Sequence, residues 1–233
     1  MKTSHIIFDL DGTLVNTIED IALAMNSALV SHGFSALPLA VYPDMVGWGI
    51  RRLAALALEA QSRPQQIPAD ETDRAALINK IAREALDRYD EIPLRFSRPY
   101  PEIPELLHIL IDEGFVLAVL TNKPDPVARQ VVKGLFPDIP FAVIQGDRID
   151  SPKKPDPDLT RSVMEAIGAA QGHTLFVGDS VVDVETAHNV GCPIVGVSWG
   201  FRGPEELVKT GTDHLITTPM ELLGIVGLAR KGS

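Results

Sequence analysis

Two carboxylates one residue apart, Asp9 and Asp11, follow the short run His5-Ile6-Ile7-Phe8 and lead into Gly12 and Thr13. A short apolar run closed by glycine predicts a buried strand, here over residues 5–10. Residues i and i+2 of a strand point to the same side, so the two acids would share one side of a chain end. Burying them there without partners would be very costly. The pattern points to a bound cation, a reaction, or both. An ordinary solvated Asp-Gly turn after a strand is the alternative.

What must position these acids is legible further along. Thr17 with Asp20 three residues later resembles a capping box, and Ile18, Ile21, Met25 and Leu29 recur at helical spacing up to Gly33. The spacing predicts a helix over 17–32. Gly47-Trp48-Gly49 lacks the third glycine and preceding strand of a dinucleotide loop, and reads instead as a loop opening a helix that runs to about residue 61. Residues 62–72 are polar, hold two prolines and form a connection; Leu77, Ile78, Ile81, Ala85, Leu86 and Tyr89 then predict another helix over 73–89. Residues 16–95 are therefore expected to be all-helical.

From Pro99 the pattern alternates. Helices near 102–113, 126–135, 157–167 and 181–189 are each followed by a strand, over 115–120, 141–144, 174–177 and 193–197, and two short helices close the chain. Such alternation implies a parallel sheet with helices on both faces. The strand at 5–10 needs that sheet as its home, so the fold is α/β: a core of residues 1–15 and 96–233, interrupted by an inserted helical domain at 16–95. Prolines 93, 99, 101 and 104 mark the return into the core.

Ligands of an open parallel sheet bind beyond the carboxyl ends of its strands. There the sequence offers Asp9 and Asp11; Thr121-Asn122-Lys123; Gly146-Asp147 leading to Lys153-Lys154-Pro155; and Gly178-Asp179-Ser180 with Asp183 one turn on. Asp9, Asp179 and Asp183 are hard oxygen ligands of the kind Mg²⁺ prefers. Thr121 and the amide of Asn122 could bind phosphate oxygens, and Lys154 would supply positive charge that the acidic chain otherwise lacks.

Composition narrows the partners. At 233 residues, 45% hydrophobic and 22% charged, the chain can bury a sizeable core. A formal charge of −10 argues against a nucleic acid or an anionic membrane as partner, since both select for basic patches. The single cysteine, Cys192, excludes a disulfide framework and reads as a small buried residue. The first apolar run is too short for a signal peptide and no run reaches membrane-spanning length, so a cytoplasmic protein is expected. The six histidines show no paired metal-ligand spacing.

Taken together and in order, Asp9-Leu10-Asp11-Gly12-Thr13, Thr121-Asn122-Lys123, Lys154-Pro155 and Gly178-Asp179-Ser180 with Asp183 resemble the haloacid dehalogenase superfamily, most closely its phosphoglycolate phosphatase group. The resemblance implies a Rossmann-like core with a helical cap, a small phosphorylated metabolite as substrate, and a monomer or small homo-oligomer. It implies Asp9 as the nucleophile forming an aspartyl-phosphate, Asp11 as general acid and then base, and Thr121 and Lys154 holding the transferring group. Mg²⁺ would be held by Asp9, the Asp11 carbonyl and Asp179, with Asp183 supporting the metal or Lys154. Superfamily members that cleave carbon–halogen or phosphonate bonds lack the second acid, which favours a phosphate ester; mutases keep it. Gly47-Trp48-Gly49-Ile50-Arg51-Arg52 falls where a substrate-reading loop is expected, and Arg51 or Arg52 could pair with a substrate carboxylate. Two positions depart from the group: Asn16, often aspartate there, and Glu102, where glycine is common. Trp199-Gly200-Phe201 follows the fifth strand and could flank the site, although packing at the strand end is the expectation.

Overall fold

A computed structural model describes residues 3–62, 67–91, 94–148 and 151–228. Pro64 and Pro93, which the sequence places in connections, lie outside the described residues. The chain divides into two compact units, Met1–Asn16 with Arg98–Ser233, and Thr17–Ser97. In chain order the strands are β1 (His5–Phe8), β2 (Val15–Asn16), β3 (Arg98–Pro99), β4 (Val116–Pro124), β5 (Val143–Asp147), β6 (Thr174–Gly178), β7 (Ile194–Val197) and β8 (His214–Ile216). The helices are α1 (Ile18–Ser31), α2 (Ile50–Glu59), α3 (Glu71–Glu91), α4 (Ile103–Asp112), α5 (Asp125–Leu135), α6 (Pro157–Ala166), α7 (Val181–Asn189), α8 (Pro204–Thr210) and α9 (Glu221–Ile225).

The larger unit is the predicted α/β core. Its six strands run in the order β5-β4-β1-β6-β7-β8, and every pairing is parallel. Strand β1 is central because its residues tolerate cover on both faces: Ile6, Ile7 and Phe8 are at most 1% exposed. Phe8 lies opposite Val119 of β4 and Val177 of β6. One residue further, Asp9 is level with Leu120 and Gly178, and Thr121 and Asp179 stand one position beyond on the neighbouring strands. The register thus delivers the polar groups to one sheet edge. On one face Ile7, Ala118, Leu120 and Phe176 pack with Val163 and Met164 of α6, Val184 and Ala187 of α7, and Leu207 of α8. Cys192 is buried in this layer, as its sequence reading anticipated.

Differences from the sequence reading have local causes. Strand β4 extends to Pro124, four residues past the expected end, and pairs again with β5 at Pro124↔Asp147 after a bulge. The β5 pairing begins at Val143, later than the apolar run at Phe141 suggests. Gly146 is required there, since a Cβ would lie 2.7 Å from the Lys123 carbonyl and 2.8 Å from the Asp125 nitrogen. Strand β8 was not anticipated: its three residues are too few to show alternation, and tertiary pairing with β7 creates it. The same holds for the two-residue antiparallel ladder of β2 and β3, which bonds the two crossing points of the chain to each other.

The smaller unit, Thr17–Ser97, is helical among its described residues: α1 and α2 both pack on α3, and a 3₁₀ turn spans Leu39–Val41. Tyr42 is fully buried and donates to Asn26 Oδ1 at 2.8 Å. The expected capping box does not form. Thr17 makes no side-chain cap bond, and Asp20 instead accepts from the Phe96 and Ser97 amides (3.0 and 2.8 Å) and the Ser97 hydroxyl (2.6 Å). A carboxylate that binds three donors 76–77 residues away closes the unit at its exit rather than capping its first helix.

Candidate active site

The loop after β1 is built tightly. Leu14 and Val15 both donate to the Leu10 carbonyl at 3.0 Å, and Gly12 donates to the Val15 carbonyl at 2.9 Å. Gly12 has φ +90, and a Cβ on it would lie 2.7 Å from the Asp179 carboxyl carbon, so glycine lets this loop pass against Asp179. Because β1 ends at Phe8, strand alternation does not position the two acids; the turn does. They take different partners. Lys154 Nζ lies 2.8 Å from Asp9 Oδ1 and 2.7 Å from Asp183 Oδ1, whereas Lys123 Nζ lies 3.0 and 3.1 Å from the two oxygens of Asp11.

Each remaining residue is held from a different element. Asn122 pairs through its amide with the Lys154 backbone, accepting from Lys154 N at 2.9 Å and donating to Lys154 O at 3.0 Å. The side chain read from sequence beside a substrate amide therefore fixes the lysine. Thr121 is 3% exposed and its hydroxyl accepts from Lys123 N. Asp183 Oδ2 accepts from the Ser180 amide and hydroxyl, closing a capping box that starts α7 at the end of β6. Gly178 lacks the Cβ that would fall on this carboxylate. Asp179 accepts from the Thr13 hydroxyl at 3.3 Å and the Phe201 amide at 2.8 Å.

Asp9, Asp179 and Asp183 each present an oxygen within 4.8 Å of the others. Burial and the neighbouring charges of Asp183 and Asp11 push the Asp9 carboxyl up to about 6 despite Lys154. Burial, Asp183 and Asp9 hold Asp179 well above the usual carboxylate range. For Lys154, the fields of Asp183 and Asp9 outweigh burial and hold the ammonium firmly charged. Four carboxylates and two lysines leave a formal charge of −2 when all are ionised. Asp9 Oδ1 is also a buried oxygen that accepts no hydrogen bond of good geometry among the described residues, the Lys154 contact being one of charge and distance. A charge deficit of two, hard oxygen donors and an unfilled acceptor fit a divalent cation.

The structure brings Asp9, Asp11, Thr121, Asn122, Lys154, Asp179 and Asp183 to one edge of the sheet. Gly47 (φ +117) and Arg51, exposed in the first turn of α2, belong to the other unit. From sequence alone Lys123 could be a secondary contact of the site or, by default, a solvated charge; its side chain is 1% exposed. The signal that could have found it is β4 itself. A strand that continues past Leu120 puts Thr121 and Lys123 on one side.

A family model described as haloacid dehalogenase-like hydrolase matches residues 6–197. A phosphoglycolate phosphatase of Rhodospirillum rubrum is 36% identical over 197 residues, 84% of this chain and 80% of its own. Another, from Haemophilus influenzae, is 32% identical over 219 residues, covering 94% and 96%. A crystal structure from Lactobacillus delbrueckii subsp. bulgaricus, of a protein provisionally described as a phosphoglycolate phosphatase, superposes with a TM-score of 0.87 at 28% identity, over 97% of this chain and 100% of that one. Among the described residues no helix is long and apolar enough to cross a membrane.

Proposed function

This chain belongs to the haloacid dehalogenase-like hydrolase family, and we propose that it is a Mg²⁺-dependent phosphatase acting on a small phosphate monoester of the phosphoglycolate type. The observation that carries the reading is the environment of Asp9: a carboxylate only 11% exposed, one residue past the end of the central strand, beside Lys154 and two further buried acids, with Asp11 two residues on.

In the proposed reaction an Asp9 oxygen attacks phosphorus, the bond from phosphorus to the ester oxygen breaks, and Asp11 delivers its proton to the departing alcohol. Water then attacks the aspartyl-phosphate, Asp11 takes a proton from it, and Asp9 is regenerated with release of inorganic phosphate. Thr121, the Asn122 amide and Lys154 hold the transferring group. Mg²⁺ would be held by Asp9, the Asp11 carbonyl and Asp179, with Asp183 supporting it, and it supplies charge neutralisation to the phosphoryl oxygens. Uncatalysed monoester hydrolysis is so slow that acceleration can approach ~10²¹-fold, about 29 kcal/mol. General acid catalysis contributes about 10²- to 10⁴-fold of this, so positioning and electrostatics carry the rest. We assign substrate selection to residues 16–95 acting as a cap, with Gly47 and Arg51 in its substrate-reading loop and the arginine pairing with a carboxylate such as that of phosphoglycolate.

Phosphate release from a panel of small esters, phosphoglycolate included, tests this with Mg²⁺ or EDTA and with Asp9→Asn alongside. Metal-dependent turnover that is lost in the variant is expected. Isomerisation of a phosphosugar without phosphate release would assign a mutase, and ligand retention without turnover a binding protein.

A further inference from the structure

The segment Trp199-Gly200-Phe201 follows β7 and flanks the acid cluster, its Phe201 amide bonding Asp179 and its indole bonding the Thr13 carbonyl. Asp179 is 2% exposed, and one of its two donors among the described residues is the Phe201 amide. That amide is aimed by what precedes it. Ser198 N donates to the Ile216 carbonyl at 3.0 Å, which fixes the start of the loop on β8. The Trp199 indole Nε1 donates to the Thr13 carbonyl at 3.1 Å, which ties the loop to the turn carrying Asp11. The Tyr100 ring lies against the indole, with centroids 6.4 Å apart and planes tilted by 56°. Gly200 stands between the two anchors, where a Cβ would lie 2.7 Å from the Asp179 carboxyl carbon and closer still to its Cβ. Thr13 closes the circuit through its hydroxyl on the other Asp179 oxygen.

We propose that Trp199 is a positioning residue for the metal site: by bonding the Thr13 carbonyl it holds the Phe201 amide on Asp179 Oδ2 and so sets the orientation in which that carboxylate meets a divalent cation. The inference rests on the metal reading of the proposed function. A ligating carboxylate bonded on one oxygen by a backbone amide keeps its other oxygen and remaining lone pairs directed elsewhere, and loss of such outer partners typically costs 10- to 100-fold in metal affinity. Trp199 does not touch the reacting atoms. Its removal should change the metal requirement rather than the chemistry at saturating metal.

The test compares wild type, Trp199→Phe, which keeps a ring but loses the indole donor, and Gly200→Ala, which pushes a methyl group against Asp179. Two readouts are taken. One is the Mg²⁺ concentration for half-maximal phosphatase activity. The other, independent of activity, is the rise in unfolding temperature with added Mg²⁺. In Trp199→Phe the Mg²⁺ requirement is expected to rise roughly tenfold or more by both readouts, with kcat recovered at saturating Mg²⁺, ester KM unchanged, and the EDTA melting temperature within a few degrees of wild type. Gly200→Ala should shift the requirement further; should it not fold, Trp199→Phe decides alone. A normal Mg²⁺ response in Trp199→Phe, or a kcat loss that saturating Mg²⁺ does not recover, overturns this inference and leaves the metal reading standing. A wild type whose melting and activity ignore Mg²⁺ overturns both.

Discussion

The ion pair between Lys123 and Asp11 invites the most discriminating perturbation. Lys123 Nζ sits 3.0 and 3.1 Å from both carboxylate oxygens, with the lysine side chain 1% and the Asp11 side chain 10% exposed. Lys123→Met keeps the length and apolar stem but removes the ammonium. Breaking a buried pair from one side costs about 3–5 kcal/mol, and because Asp11 retains some exposure the lower end applies, about 3 kcal/mol. For a chain of this size that is roughly 6–12 °C in melting temperature, with a larger loss in EDTA than in Mg²⁺ because the site then carries an additional uncompensated charge. If Lys123 acts by fixing the orientation of Asp11, the catalytic loss should follow the need for a proton at the leaving oxygen, up to the roughly 10²- to 10⁴-fold that a general acid supplies. Rapid-quench measurement of the first turnover separates this from later hydrolysis. Alcohol release from an alkyl phosphate should slow strongly, whereas the burst of nitrophenol from p-nitrophenyl phosphate, a good leaving group, should slow little. In the double variant with Asp11→Asn the alkyl-ester effects should not add. Equal slowing of both esters, or additive effects, would refute the assignment.

The other expectations follow from particular contacts. Glu102 adopts φ 64 at the N-cap of α4; the left-handed conformation costs a non-glycine residue about 1–2 kcal/mol and glycine loses about 0.5–1 in chain entropy, so Glu102→Gly should stabilise by about 0.5–1 kcal/mol in chemical denaturation. Asp20→Ala leaves two amides and the Ser97 hydroxyl without their acceptor and should cost about 2–4 kcal/mol by the same assay, while Asp20→Asn should cost less. In EDTA, Asp9 makes stability fall as pH rises. Its folded carboxyl, displaced from 3.8 to about 6 mainly by burial, binds protons that the unfolded chain releases in that interval, a penalty reaching about 3 kcal/mol above pH 6. Melts in EDTA from pH 4 to 8 should show this decline in the wild type and a shallower one in Asp9→Asn; parallel curves would refute it.

What the sequence made legible was set by local pattern. The α/β alternation, the membership of residues 5–8 in the parallel sheet and the convergence of Asp9, Thr121, Lys154 and Asp179 all follow from hydrophobic period and from the rule that ligands gather at carboxyl ends of parallel strands. What escaped was decided by contacts distant in sequence. Asp20 fits a capping-box spacing with Thr17, but the Phe96 and Ser97 amides offer it more donors. Strand β8 exists because β7 has an open edge for His214–Ile216 to pair with. Lys123 reads as a surface charge until the extension of β4 carries it inward to Asp11. Trp199 reads as a packing aromatic because nothing in its neighbourhood reveals that Thr13, 186 residues earlier, supplies its acceptor.

The distribution of partners also bears on the order in which charges assemble. Asp11 faces Lys123, Asp9 shares Lys154 with Asp183, and Asp179 has amide and hydroxyl donors but, among the described residues, no cation bonded to it. With all four carboxylates ionised, the two uncompensated negative charges therefore lie among Asp9, Asp179 and Asp183, not at Asp11. Two unit charges 4 Å apart interact by about 4 kcal/mol at an effective dielectric of 20, so a doubly charged phosphate ester entering beside that deficit would face repulsion of several kcal/mol. Lys154 cannot remove it, because both of its close acidic partners already draw on its single charge. A second centre of positive charge near Asp179 would reverse the sign of the field the ester meets, so on the proposed metal reading Asp179 and Asp183 would contribute to binding the phosphate as well as to holding the cation.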